Sequence, residues 1–510
     1  MQKKKLSIAL ALAGLVMHAP AIASERAQLE ALRATTQAIL DALVEKGILT
    51  PEAAQAMVKQ AEAKGAAAAA ATARAQGGVV RVPYIPEVVK REIRDQIRQE
   101  VVAQAKTERW GDVNAVPEWV DRLKWEGDLR LRNQKDLYAA GNVAQDFNLD
   151  GTVDNTTKDR ERMRLRARLG LTAAITSKVS GGLRITTGNT RDPVSTNQTL
   201  GNTGNKYELV LDRAFLRYEP WEWLTLSGGR LPNPFLSTDL VWDDDLNFEG
   251  LAARFAPWER EPDRSLKPYA VLGIFPLQEI ETSPINLAKD KWLYAAQLGL
   301  DWRAGANSRW RFGLAWYDYR NVRGVQDGVI GGGNPYAASA PQFRQKGNTV
   351  FDLSPDDNLW GLATDYDLLN LTAQADLAHF DPYHLILSAD VVKNIGYDKA
   401  GTAARIGQPG YKARTLGWQG RIAYGWPSMN AAGNWQVYFG YRHLERDAVL
   451  DAFTDSDFRL GGTDAKGYYL GGSYALDRNV WLAAKWMSAD AIDGLPFSVD
   501  VLQLDFNARF

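Results

Sequence analysis

From about residue 122 to residue 510, apolar and polar side chains alternate one for one, in stretches of about ten residues. "WEGDLRLRN" sets Trp125, Leu129 and Leu131 against Glu126, Asp128, Arg130 and Arg132. "LTAQADLA" sets Leu371, Ala373, Ala375 and Leu377 against Thr372, Gln374 and Asp376. "YHLILSADV" gathers Tyr383, Leu385, Leu387, Ala389 and Val391 on one face. Successive side chains of a strand point to opposite faces, so a period of two means sheet with one apolar face.

Two architectures carry such strands: a soluble antiparallel sandwich and a transmembrane β-barrel. Three features favour the barrel. About sixteen strands can be counted (about 14–18 by this kind of reading), from one near 122–135 to one near 497–510. Short turns (Ser177-Lys178, Pro220-Trp221, Asp381-Pro382, Asp477-Arg478) alternate with long connections (136–159, 191–205, 231–247, 320–357, 395–411, 447–465). Barrels with short turns at one membrane face and long loops at the other keep that bias, and sandwiches have no reason to. Trp221, Trp223, Trp258, Trp302, Trp310, Trp426 and Trp481 fall at strand ends, as an interfacial girdle requires. Finally, "VLQLDFNARF" alternates Leu502, Leu504, Phe506, Ala508 and Phe510 with Gln503, Asp505, Asn507 and Arg509, the pattern of a barrel-closing strand that ends in an aromatic residue. Backbone groups in lipid have no water to pair with, so the sheet must close on itself. At sixteen strands it encloses a channel wide enough for water.

The N-terminal part reads differently. Lys3, Lys4 and Lys5, the apolar run Leu6 to Val16 and Ala21-Ile22-Ala23 form the three parts of a signal peptide over residues 1–23. A membrane anchor needs a longer apolar run. Residues 24–64 carry Leu29, Leu32, Thr36, Ile39 and Leu43 at coiled-coil spacing, and Thr50-Pro51 starts a second helix. An Ala-rich linker covers 65–78, and 79–120 reads as a periplasmic helix and connector with Val89, Ile93, Ile97 and Val101 four apart. This segment is either a spacer or an oligomerising element. The fold expected is thus an all-β transmembrane antiparallel barrel over 121–510, with an N-terminal α-helical extension.

"RERMRLRARLGL" fixes the chemistry of the interior. With Met163, Leu165, Ala167 and Leu169 toward lipid, Arg162, Arg164, Arg166 and Arg168 face the lumen. The opposite register would put arginines into hydrocarbon at about 2–4 kcal/mol each. Arg130, Arg132 and Arg184 have the same parity and extend a basic wall. The connection "LPNPFLSTDLVWDDDLN" follows the fifth strand, where sixteen-stranded porins fold a loop into the channel, a fold-level analogy. Its Asp239, Asp243, Asp244 and Asp245, with Glu249 after them, are expected to set an acidic edge opposite the arginines. The bland alternative is a solvated outer loop or a cation site, with the arginines merely paired with Asp128, Glu126 and counter-ions.

Other chemistry is sparse. Asp146, Asn148, Asp150 and Asp154 match ligand positions of a calcium loop, but Thr157 stands where glutamate belongs, and a plain turn fits as well. No other cofactor is expected. The absence of cysteine removes disulfides, thiolate metal sites and thiol nucleophiles. A formal net charge of −1 gives no support to nucleic-acid binding. His379 and His384 flank a turn, and neither G-x-S-x-G nor H-E-x-x-H occurs, so no enzyme is expected; a barrel hydrolase stays a third reading that would need a Ser/His pair on an outward strand face, and the sequence singles out none.

The runs "VPYIPEVVKREIRDQIRQEV", "WEGDLRLR", "RERMRLRARLGL", "STNQTLG", "GRLPNPFLSTDLVWDDDLNFEGLA" and "VVKNIG" resemble the "putative porin" family of Gram-negative outer membranes, over roughly residue 79 to the C-terminus. The resemblance implies an outer-membrane barrel, periplasmic N-terminal helices and passive diffusion, with no substrate to carry over. The expected partners are outer-membrane lipid, small hydrophilic solutes and ions, and the barrel assembly machinery through the final strand. A homo-oligomer is also expected, a trimer by preference, through the barrel or the N-terminal helices. A barrel serving only as an anchor for those helices is the alternative.

Overall fold

The computed structural model describes residues 120–327, 333–354 and 358–510. The signal peptide, coiled coil, linker and helix expected over 1–119 lie outside the described residues. Sixteen long strands form the fold. They are β1 (Leu123–Tyr138), β2 (Arg160–Ala174), β3 (Val179–Thr187), β5 (Leu209–Trp221), β6 (Leu224–Pro232), β7 (Asn247–Phe255), β8 (Leu266–Gln278) and β9 (Lys291–Arg303), followed by β10 (Ser308–Arg320), β13 (Asp367–Phe380), β14 (Tyr383–Asn394), β15 (Leu416–Gly425), β16 (Trp435–Leu444), β17 (Ala465–Asp477), β18 (Val480–Ala491) and β19 (Ser498–Arg509). Three short strands, β4 (Gln198–Thr199), β11 (Val350–Asp352) and β12 (Trp360–Leu362), and one helix, α1 (Lys399–Arg405), sit in the connections.

Each long strand pairs antiparallel with the next, and β19 pairs back with β1 from Asp128↔Arg509 to Tyr138↔Val499. The sheet therefore has no free edge, which is the condition for crossing lipid. At the seam Gly127 and Phe510 exchange two backbone hydrogen bonds of 3.0 Å. The Phe510 ring lies over Gly127, where an added Cβ would meet ring carbons at 2.4 and 2.7 Å. Only glycine leaves room for the aromatic cap there.

The faces follow the alternation. Leu129, Leu131, Met163, Leu298, Leu371 and Phe506 are exposed outward, while Gln134, Asp136, Thr372, Asp390 and Gln503 are buried inward. Aromatic rings cluster at the short-turn end. Trp221 stacks on Trp223 at 5.2 Å, and Tyr383 sits 5.8 and 5.4 Å from Trp426 and Trp435. The turn expected at Pro220-Trp221 lies slightly later, because β5 continues to Trp221 and leaves Glu222 and Trp223 before β6.

One expectation needs correcting. The alternation implied a polar inner face throughout, yet away from the short-turn end the inner face of β8–β10 is largely apolar: Val271, Phe275, Leu293, Ala315, Tyr317 and Tyr319 are all buried. These side chains meet protein and not water. Leu240, Val241 and Trp242, from the connection between β6 and β7, pack onto them. The barrel's hydrophobic core thus lies inside it, on one side of the lumen.

Candidate functional site

The arginine row occupies the inner face of β2, and register brings the second row beside it. Arg130 stands opposite Arg166, Arg132 opposite Arg164, and Asp128 opposite Arg168. Like charges at cross-strand distance repel, so the wall needs acids among its arginines. Asp128 accepts from Arg166 at 2.9 Å and Arg168 at 2.7 Å, and Asp136 accepts from Arg162 at 3.0 Å. Arg132 is held by Asp505 at 2.8 Å and by Asp457 at 3.0 Å. Arg184 on β3 pairs with Asp212 on β5. Two members keep no carboxylate partner among the described residues: Arg130 bonds the Asn197 amide oxygen at 2.6 Å, and Arg164 that of Gln134 at 3.2 Å.

The 233–246 connection runs inside the barrel, and several walls hold it. The Leu236 amide donates to Gln297 on β9 at 2.8 Å, and the Gln297 amide returns the bond to the Leu236 carbonyl. Thr238 donates to Asp390 on β14 at 2.6 Å, and Asp239 pairs with Arg442 on β16 at 2.7 Å. At the far end Asp245 meets Arg168 at 3.0 Å and Arg166 at 3.8 Å. The loop therefore does not stand across from the arginine wall with its acids free. Asp245 touches the wall, and Asp239 neutralises Arg442 on another side.

Asp243 is buried and spent on structure, accepting the Ser456 amide at 2.9 Å and the Asp245 amide at 2.8 Å. Asp244 alone of the four keeps its side chain exposed within the barrel. Although the Asp244 side chain is open to the lumen, the protein around it strips away much of its bulk water, and this desolvation with the Asp239 and Asp245 carboxylates pushes it up to about 6. Burial, Asp455 and Asp245 hold Asp243 well above the usual carboxylate range. Burial works against ionised Asp239 too, but Arg442 outweighs it and brings Asp239 down to about 2.

Glu249 departs from expectation. It pairs across β6–β7 with Arg230, and the neighbouring Leu231 and Phe248 are buried in the lumenal core. Alternation then turns the Arg230–Glu249 ion pair, 2.5 Å long, to the outer face, so Glu249 has no part in the inner acidic edge. The residues of the candidate calcium loop bond within their own turn. Asp146 caps the Asp150 and Gly151 amides at 3.3 and 2.8 Å, and Asp154 caps Phe147 at 2.7 Å. These are turn bonds, and no group of three metal-binding side chains occurs among the described residues.

Four participants were not legible. Asp455 and Asp457, in the 445–464 connection, enter the lumen to meet Arg442 at 2.8 Å and Arg132. Arg213 on β5 donates to Asn247 at 2.6 Å. Ser308 Oγ lies 2.8 Å from His379 Nε2 at the turn end, on the outer face shared by Leu314 and Trp316. No carboxylate hydrogen-bonds His379 among the described residues, so this is a pair and not a triad.

The family model described as "putative porin" matches residues 33–510. The chain belongs to that porin family. Porin-like barrels among solved structures include the outer-membrane channel DcaP of Acinetobacter baumannii, at 12% identity and TM-score 0.41, covering 76% of this chain and 97% of that one. Pseudomonas putida OprB aligns at 12% identity and TM-score 0.46, covering 77% and 96%. Salmonella typhi OmpF, in complex with daunomycin, aligns at 9% identity and TM-score 0.40, covering 76% and 97%. No curated protein matches the chain.

Proposed function

We propose that this chain is an outer-membrane diffusion channel for small hydrophilic solutes and ions, with long loops outside and short turns in the periplasm. The observation that carries the reading is an arginine wall only partly neutralised where the inward loop crosses. Arg130 and Arg164 lack carboxylate partners, and Asp244, next in sequence to the wall-bound Asp245, keeps its side chain exposed. Fixed charges of both signs at a narrow point orient dipolar solutes and disfavour apolar ones. Space of about 350 Å³ on the short-turn side of the loop, and a larger cavity among the long loops that also reaches the outward Arg230 and Glu249, support a channel over a mere anchor. The reading calls for lipid around the outward leucines, the barrel assembly machinery at β19, and a trimer, with residues 24–120 in the periplasm. Planar-bilayer recording of Arg130→Ala plus Arg164→Ala tests it. Reduced anion permeability relative to cation is expected; unchanged conductance and selectivity would sink the wall idea.

A further inference from the structure

Between the underside of the inward loop and the short-turn rim lies a cavity of about 350 Å³, apart from the arginine wall on β1 and β2. Its apolar roof is Pro234, Phe235 and Leu236 of the loop itself. Its sides carry five cations, Arg254, Lys267, Arg303, Arg309 and Arg311, against two carboxylates, Glu259 and Asp301.

Both carboxylates are taken. Glu259 accepts from Arg254 at 3.1 Å, and Asp301 accepts from Arg309 Nε at 2.9 Å. Lys267 and Arg303 reach only backbone carbonyls, those of Glu259 at 3.0 Å and Pro262 at 3.5 Å. Arg311 stands opposite Asp301 in the β9–β10 register, but its guanidinium makes no hydrogen bond or ion pair among the described residues. An excess of three positive charges thus faces one small space. Arginine does not shed its proton, so the space keeps its positive excess and favours an anion from solution.

The site is also pre-shaped. Tyr269 lies flat against β9 because the facing residue is Gly299, where a Cβ would meet its ring at 2.0 Å. Arg254 stacks on the other side of that ring, 4.2 Å from its centroid. The stack and the Glu259 bond together fix that guanidinium in place.

We propose that this vestibule binds a small oxyanion-bearing solute, a carboxylate or a phosphate, whose charged end meets Arg311 and Arg303 and whose body lies under Phe235 and Leu236. The volume suits a small molecule. Guanidinium forks match either oxyanion, and the apolar roof adds affinity for a carboxylate carried on a ring or chain. The proposal rests on the channel reading only for how the solute arrives.

The test is calorimetric titration of the detergent-solubilised full chain at low ionic strength, with benzoate and with inorganic phosphate as separate probes. Both bind, benzoate more tightly than phosphate. Arg303→Ala plus Arg311→Ala weakens each by about tenfold or more, and Arg311→Lys loses less than Arg311→Ala. Neither residue makes an ion pair with a carboxylate among the described residues; should the double variant misfold, Arg311→Ala alone carries the comparison. Failure of both probes to bind, or equal affinity in parent and variant, overturns the proposal. Because the readout is binding and not current, that failure would leave the diffusion reading standing, and loss of the diffusion reading would leave this site standing.

Discussion

Trp242→Ala should loosen the inward loop without opening the barrel. Trp242 is 2% exposed, and its ring centroid lies 4.8 Å from Phe248, 5.1 Å from Tyr317 and 6.0 Å from Phe453. Truncating a fully buried tryptophan costs about 3–5 kcal/mol, part transfer and part cavity. The loss falls on the stretch between two fixed points, Asp239 on Arg442 and Asp245 on Arg168, which both survive the change. A loosened conformation of residues 240–244 therefore rises in population by about two to four orders of magnitude. Single-channel recording should show brief excursions to a higher conductance that the parent lacks, and Trp242→Phe should show far fewer. A folded Trp242→Ala barrel with one steady level equal to the parent's would refute the idea that this ring pins the constriction.

Gly127→Val sets a branched side chain under the Phe510 ring, with the Arg168 carbonyl 2.9 Å away. It should cost about 1–3 kcal/mol as overpacking at the seam, read as a lower unfolding temperature of the folded band in semi-native gels. Asp244, pushed up to about 6, gains a proton as pH falls from 7 to 5. The raised value means that ionising Asp244 disfavours the folded loop, so the fold gains stability as pH falls through 6, while the lumen loses a negative charge. Cation preference should drop over that interval in the parent and stay flat in Asp244→Asn; a parent-like pH response in Asp244→Asn would show that another group titrates.

Much of this architecture can be read from local periodicity. Strand number, turn and loop alternation, and the side of β1 and β2 that carries arginine all follow from a period of two and the cost of charge in lipid. That argument concerns one strand and its solvent. It is silent where two loops meet. Leu240–Trp242 look like an apolar run in a polar connection, and Tyr317 and Tyr319 look like interruptions of an inner polar face; only their contact explains both. Likewise "FTDSDFRL" reads as a solvated outer loop, yet it delivers Asp457 to Arg132 across 325 positions of sequence. Asp128 was legible as a partner of the wall because it alternates with the arginines on β1, whereas Asp457 and Asp245, which arrive on distant loops, were not available from spacing. Glu249 was misplaced because proximity in sequence to the aspartates was weighed above the alternation within β7, which turns it outward beside Arg230.

The seam between β1 and β19 also orders the folding reaction. Every other pairing in the ring joins neighbours in the chain, whose ends come together across a single turn or loop. Arg132 and Asp505 meet across 373 positions. Loop-closure entropy for that one contact is larger than for any hairpin, and nothing rewards it until the intervening strands have paired. Curled sheet must precede closed ring, with both outer edges open while it forms. The aromatic cap over Gly127 then acts as a latch on the final step, and chaperoning of those two edges matters most just before it shuts.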